Sequence, residues 1–145
     1  MTNIDFTKSE QYTLSIRLSA DGFSFSIHPP LKEAEVFFAS YPVNVSYSMT
    51  ANLKKMLQAT EELKYTYGQT NILIDTQRFT PVPFDLFEDE QTEQLFYQNF
   101  QRTDNETVLC NILGKSNIAL IFGMDKHAQQ VINESFPHAR IFACA

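Results

Sequence analysis

Tyr12-Thr-Leu-Ser-Ile-Arg-Leu-Ser-Ala-Asp-Gly-Phe-Ser-Phe-Ser-Ile27 is the stretch on which the fold turns. Its large apolar residues fall at 12, 14, 16 and 18, then at 23, 25 and 27, with Thr13, Ser15, Arg17, Ser24 and Ser26 between them. A period of two belongs to strands with one buried face. Ser19-Ala-Asp-Gly22 separates the two runs, and an Asp-Gly pair can supply the positive φ of a tight turn, so a β-hairpin is expected. Pro29-Pro30 ends it.

Downstream, Ala34 to Tyr41 offers a third strand, with a short helix less favoured because Phe37 and Phe38 prefer β structure. Thr50 heads a helix whose face is marked by Leu53, Met56, Leu57, Thr60, Leu63 and Tyr67, with Gly68 as its stop. Asn71 to Asp75 reads as a buried strand, and Arg78 to Val82 as one that Pro81 and Pro83 confine to an edge. A second helix begins with Glu88-Asp-Glu90 and continues through Leu95, Phe96, Asn99 and Phe100. Thr107 to Leu113 and Asn117 to Phe122 form a hairpin around Gly114-Lys115-Ser116. Asp125 caps a third helix from Lys126 to about Ser135, with His127, Val131, Ile132 and Phe136 on its apolar side, and Arg140 to Cys144 is the last strand. The fold class is α/β (α+β): a mixed β-sheet with three inserted helices in the order βββ-α-ββ-α-ββ-α-β, and no internal repeat.

The chain has 145 residues, near the ~150 expected of one domain. Residues 1–11 read as a flexible leader and 12–145 as a single lobe. Seventeen acidic against eleven basic residues give a net charge of -6, the wrong sign for binding a phosphate backbone, so no nucleic-acid partner is expected. No apolar run reaches the roughly 18 residues of a membrane span, and the N-terminus lacks the basic and apolar regions of a signal peptide, so no membrane partner is expected. Cys110 and Cys144 stand apart in apolar surroundings without a CxxC, which favours reduced, buried thiols and a cytoplasmic home. The Asn-x-Ser/Thr matches at Asn44, Asn105 and Asn133 read as chance.

Motifs that carry chemistry are largely missing. Gly114-Lys115-Ser116 resembles the end of a P-loop, but Leu109 stands where the earlier glycine belongs and a strand follows instead of a helix. The four glycines cannot make GxGxxG, and His28, His127 and His138 are not at metal-ligand spacing. No GxSxG accompanies the serines, so no catalytic residue and no metal ligand is nominated. Glu88-Asp89-Glu90 suits a helix start better than acid/base work, since adjacent residues on a helix do not face each other. Asp75, at the C-terminal end of a strand, is the better single carboxylate, although Asp75-Thr76 also suits a turn. Phe79, Phe84, Phe87, Phe96, Tyr97 and Phe100 form an aromatic cluster that is either core or interface, with core favoured.

The opening hairpin, Ile74-Asp-Thr-Gln-Arg-Phe-Thr-Pro-Val-Pro83 with Leu86-Phe87, and Ile118 through Phe136-Pro-His-Ala-Arg-Ile141 together resemble an uncharacterised bacterial domain-of-unknown-function family with an actin-like ATPase, ribonuclease-H-like fold. The resemblance runs from about Tyr12 to the end and implies one lobe of a two-lobed protein, either a first lobe cut from a longer chain or a shortened member. It implies no established activity. By analogy with actin-like ATPases it puts a phosphate-binding turn at Asp21-Gly22, facing Asp75, but the turn holds one glycine and Phe23 follows it. The leading expectation is a non-enzymatic binding or scaffolding module without cofactor, pairing with a protein partner or with itself. The rival is a nucleotide (ATP)-dependent switch or enzyme using Asp21, Gly22 and Asp75. A small-molecule sensor with an apolar pocket stands as a third class.

Overall fold

The computed structural model describes residues 5–30 and 36–144. Among them the chain runs β1 (Thr13–Ser19), β2 (Gly22–His28), β3 (Phe37–Tyr41), α1 (Met49–Ala59), β4 (Gln69–Asp75), β5 (Phe79–Pro83), α2 (Thr92–Asn99), β6 (Glu106–Leu113), β7 (Ile118–Asp125), α3 (Lys126–Ser135) and β8 (Arg140–Cys144). This is the order read from the sequence. Ala34 and Glu35, placed at the start of the third strand by that reading, lie outside the described residues.

The strands make two sheets where one was expected. The first is mixed, in the order β3-β2-β1-β4-β8, and the second is antiparallel, in the order β5-β7-β6. Periodicity finds strands but does not pair them. Pro81 and Pro83 cannot donate to a ladder, which suits β5 to the edge it occupies. β7 is buried from Ala119 to Met124 and needs cover on both faces.

Register carries the alternation of the hairpin into three dimensions. Leu14 lies opposite Ile27, Ile16 opposite Phe25 and Leu18 opposite Phe23, so all six point to one face. β4 continues that face by pairing Ile72 with Ile16 and Ile74 with Leu18 in parallel. Leu53 and Met56 of α1 and Ala128, Val131 and Ile132 of α3 join the same core, and Phe122 and Met124 bring β7 into it. Each fully buried aliphatic side chain contributes about 1.5–3 kcal/mol. The opposite face carries Ser15, Arg17, Ser19, Ser24 and Ser26, the polar half of the period.

The two sheets are also joined by one side chain. Asn111 of β6 donates its amide to the Ile141 carbonyl at 2.9 Å and accepts from the Ala143 N–H at 3.1 Å, so it bonds the outer edge of β8 as a neighbouring strand would.

Element ends depart from the sequence reading for local reasons. α1 is capped by Ser48, whose Oγ accepts from the Ala51 N–H at 3.1 Å, two residues before the expected start at Thr50. It stops at Ala59, because continuing would set Glu61 and Glu62 against the partial negative charge of a helix C-terminus. Those residues open a 3-10 turn, Glu61–Lys64, and Leu63 and Tyr67 are buried from outside the helix. Gly68 is therefore no helix stop. Its N–H donates to Tyr12 O at 3.0 Å, and a Cβ there would run into the Glu10 carbonyl.

α2 begins at Thr92, after a 3-10 turn, so the acid in its first turn is Glu93 and not the Glu88-Asp-Glu90 run. On α3, Ala128 takes the buried place assigned to His127, which is exposed. Within the segment read as a leader, Phe6–Gln11 form a 3-10 turn. Ser9 Oγ donates to Thr66 O at 2.7 Å and Phe6 stacks on Tyr65 at 4.7 Å. No helix is long and apolar enough to cross a membrane among the described residues.

Candidate functional site

β1, β4 and β8 are parallel and end together, and open α/β sheets bind ligands at that end. Ser19 closes β1 and Asp75 closes β4 there. A cavity of about 540 Å³ lies against them, and Asp21, Gly22 and Asp75 all line it, beside Arg17, Phe38 and Tyr41. The three residues nominated from sequence thus meet on one cleft. Alternation turns Arg17 outward to this face, where its Nη2 bonds Asp75 Oδ2 at 2.8 Å. Both side chains are about half exposed, so the pair contributes at most about 1 kcal/mol while fixing where the carboxylate points.

The turn differs from its sequence reading. Ser19 pairs with Gly22, leaving only Ala20 and Asp21 between the strands, and the Asp21 N–H donates to Ser19 Oγ at 3.3 Å. No glycine has a positive φ among the described residues; that conformation falls on Asn105 (62°) and Asn117 (55°). The hairpin therefore closes without the backbone freedom that Asp-Gly advertises. Phe23, expected to stand at the bend, is 2% exposed and belongs to the core while still lining the cleft.

Tyr41 and Pro42 lead from one wall of the cleft into the β3–α1 loop, and that loop is pinned by a residue the sequence did not single out. Asn52, buried in α1, donates to the carbonyls of Asn44 at 3.0 Å and Ser48 at 2.9 Å, and its Oδ1 accepts from the Asn44 N–H at 2.8 Å. An asparagine in an otherwise apolar helix face was the only available signal.

A second polar cluster lies between β5, α2 and β6. Glu106 accepts from Arg78 Nε at 2.7 Å and Nη2 at 2.8 Å, and from the Tyr97 hydroxyl at 2.9 Å. Arg78 also donates to Gln101 O at 2.8 Å and lies over the Phe96 and Phe100 rings. Burial works to raise the Glu106 carboxyl, but the hydrogen bonds from Arg78 and Tyr97 outweigh it and hold it below its ordinary value. The hydrogen bond with Glu106 raises Arg78, and burial followed by that same carboxylate raises Tyr97. A Cβ at Gly123 would run into this carboxylate, and glycine there lets it sit so close. With each group matched, the cluster fastens α2 to its sheet.

The remaining nominees are dispersed. Glu88, Asp89 and Glu90 are exposed, and Gly114–Ser116 is a 3-10 turn followed by β7, not by a phosphate-binding helix. His28 bonds Ser26 Oγ at 2.8 Å, and no three His, Cys, Asp or Glu gather around a metal-sized space among the described residues. Cys110 and Cys144 are free thiols of intermediate burial, and burial pushes the Cys110 thiol up. The aromatic cluster divides: Phe96 is fully buried, whereas Phe84 is exposed.

A family model described as "Protein of unknown function (DUF3822)" matches residues 1–145. No curated protein matches the chain. A solved structure from Bacteroides thetaiotaomicron VPI-5482, a protein with actin-like ATPase fold and unknown function, is 49% identical, with a TM-score of 0.93 over 97% of this chain. The match covers 55% of that protein, so the chain spans about half of its relative's length. With the sheet order and the matched sequence in agreement, the chain belongs to the DUF3822 family and carries an actin-like ATPase fold.

Proposed function

We propose that this chain is a non-enzymatic binding and scaffolding lobe, in which protein contact has replaced phosphate chemistry. The observation that carries this reading is the apolar tip of the three-stranded sheet. Leu86 is 71% exposed, Ile112 52%, Phe84 45% and Leu113 41%. They share one end of the sheet because Leu113 and Pro83 both pair with Ile118 and the Phe84 N–H donates to Asn117 O at 2.9 Å, while Ile112 and Leu113, as successive strand residues, expose opposite faces of that end. Large apolar side chains gathered at a surface mark contact sites. The cleft supports the same reading: a two-residue turn has few free N–H groups for a polyphosphate, and the Arg17 guanidinium that lines the cleft is bonded to Asp75. Light scattering after size exclusion is expected to show concentration-dependent self-association that Leu86→Lys with Ile112→Lys abolishes. A native chain that is strictly monomeric at high micromolar concentration overturns the self-association.

The convergence of Asp21, Gly22 and Asp75 favours a second reading, a nucleotide-dependent switch or enzyme completed by a further lobe. Calorimetry with Mg-ATP on the longest natural protein containing this sequence decides it. Saturable micromolar binding lost in Asp21→Ala would establish the second reading over the first.

A further inference from the structure

A different cavity lies at the other end of the five-stranded sheet, where β4 and β8 begin. It is half open to solvent and measures about 520 Å³, within the roughly 300–1,000 Å³ typical of small-molecule sites. Its apolar wall comes from Leu57 at the end of α1, Leu63 of the 3-10 turn that follows, and Phe136 and Pro137 at the exit of α3. Lys64 and His138 also line it. In a chain with seventeen acidic residues, no lining residue is Asp or Glu.

The walls are held before any ligand arrives. The Tyr67 hydroxyl donates to the Glu62 carbonyl, Ser9 Oγ to Thr66 O at 2.7 Å, and Gly68 N–H to Tyr12 O at 3.0 Å. Tyr65, another wall residue, is braced from outside by the Phe6 ring. A site whose walls are already ordered loses less entropy on binding. Among the described residues Lys64 is engaged only by Glu61, in an exposed pair at 2.9 Å of the kind that contributes little, so its ammonium is open to a competing carboxylate.

The geometry points to a binding site for a small organic acid with an aromatic or branched apolar body, its carboxylate on Lys64 and its body against Leu57, Leu63 and Phe136. The site is separate from the cleft and from the apolar tip, so it stands or falls independently of them. The test is NMR titration of the full chain with phenylacetate, with phenethylamine as the cationic counterpart. Phenylacetate is expected to shift amide signals of residues 63–70 and 135–139 saturably, and phenethylamine is not. Lys64→Gln is expected to weaken phenylacetate binding about tenfold, the loss of one charge-assisted hydrogen bond. Leu57→Trp, with its circular dichroism unchanged, is expected to fill the space and abolish the shifts. Equal binding of acid and amine, shifts centred elsewhere, an unchanged affinity in Lys64→Gln, or no response at millimolar phenylacetate would each overturn the proposal.

Discussion

Arg78 and Glu106 show how a single pair can matter more than a surface count of charges suggests. The Glu106 side chain is 7% exposed and accepts three hydrogen bonds, so removing its partner strands a charge. Arg78→Ala is expected to cost roughly 2–4 kcal/mol in urea unfolding, near the range for broken buried pairs. The carboxyl is held below its unfolded value, so its contribution is complete above about pH 4.3 and is lost as pH falls through the lower native value. Glu106→Gln should therefore differ most from the native protein near neutrality and converge with it in acid, as unfolding midpoints across pH would show. None of this was legible in sequence, because Arg78, Tyr97 and Glu106 come from separate elements and nothing in their spacing pairs them. Asp21, Gly22 and Asp75 were legible as neighbours only through the family resemblance. What the residues alone misjudged was the bend: an Asp-Gly pair permits positive φ, but pairing Ser19 with Gly22 moved the turn to Ala20-Asp21.

The caps are the clearest sequence-to-structure link at the level of elements. Asp125 Oδ1 accepts from the Ala128 N–H at 3.0 Å and lies 3.3 Å from the Thr50 hydroxyl that donates to it, so one carboxylate starts α3 and touches α1. Asp125→Ala is expected to lower stability by about 1–2 kcal/mol, measured as the shift in denaturant midpoint at unchanged m-value. The strands and the three helices were readable because each buries one stripe or face, and burial leaves a period in the sequence. Their ends were less so. Leu63 and Tyr67 kept helical spacing while lying beyond α1, since a 3-10 turn and an extended connector can bury the same residues. Asn117 at φ 55° closes the β6–β7 connection, which the sequence centred on Gly114-Lys115-Ser116.

Across the whole molecule, the two sheets share a core through Phe122, which is fully buried among residues of the first sheet while belonging to the second. Phe122→Ala is expected to cost about 3–5 kcal/mol and to lower both sheets in one transition, with calorimetric and van't Hoff enthalpies still equal. Loss of the three-stranded sheet alone, with the other intact, would contradict that shared core. The division into two sheets was hidden from the sequence because pairing is decided by contacts between distant segments, not by any local period. Asn111 then gives the larger sheet a direction. Its amide plugs the β8 side, while β3 forms the other boundary and holds no charged residue from Phe37 to Tyr41. Strand addition to the larger sheet is therefore one-sided: Asn111 stoppers it at β8, and β3 is the boundary that a further strand could extend.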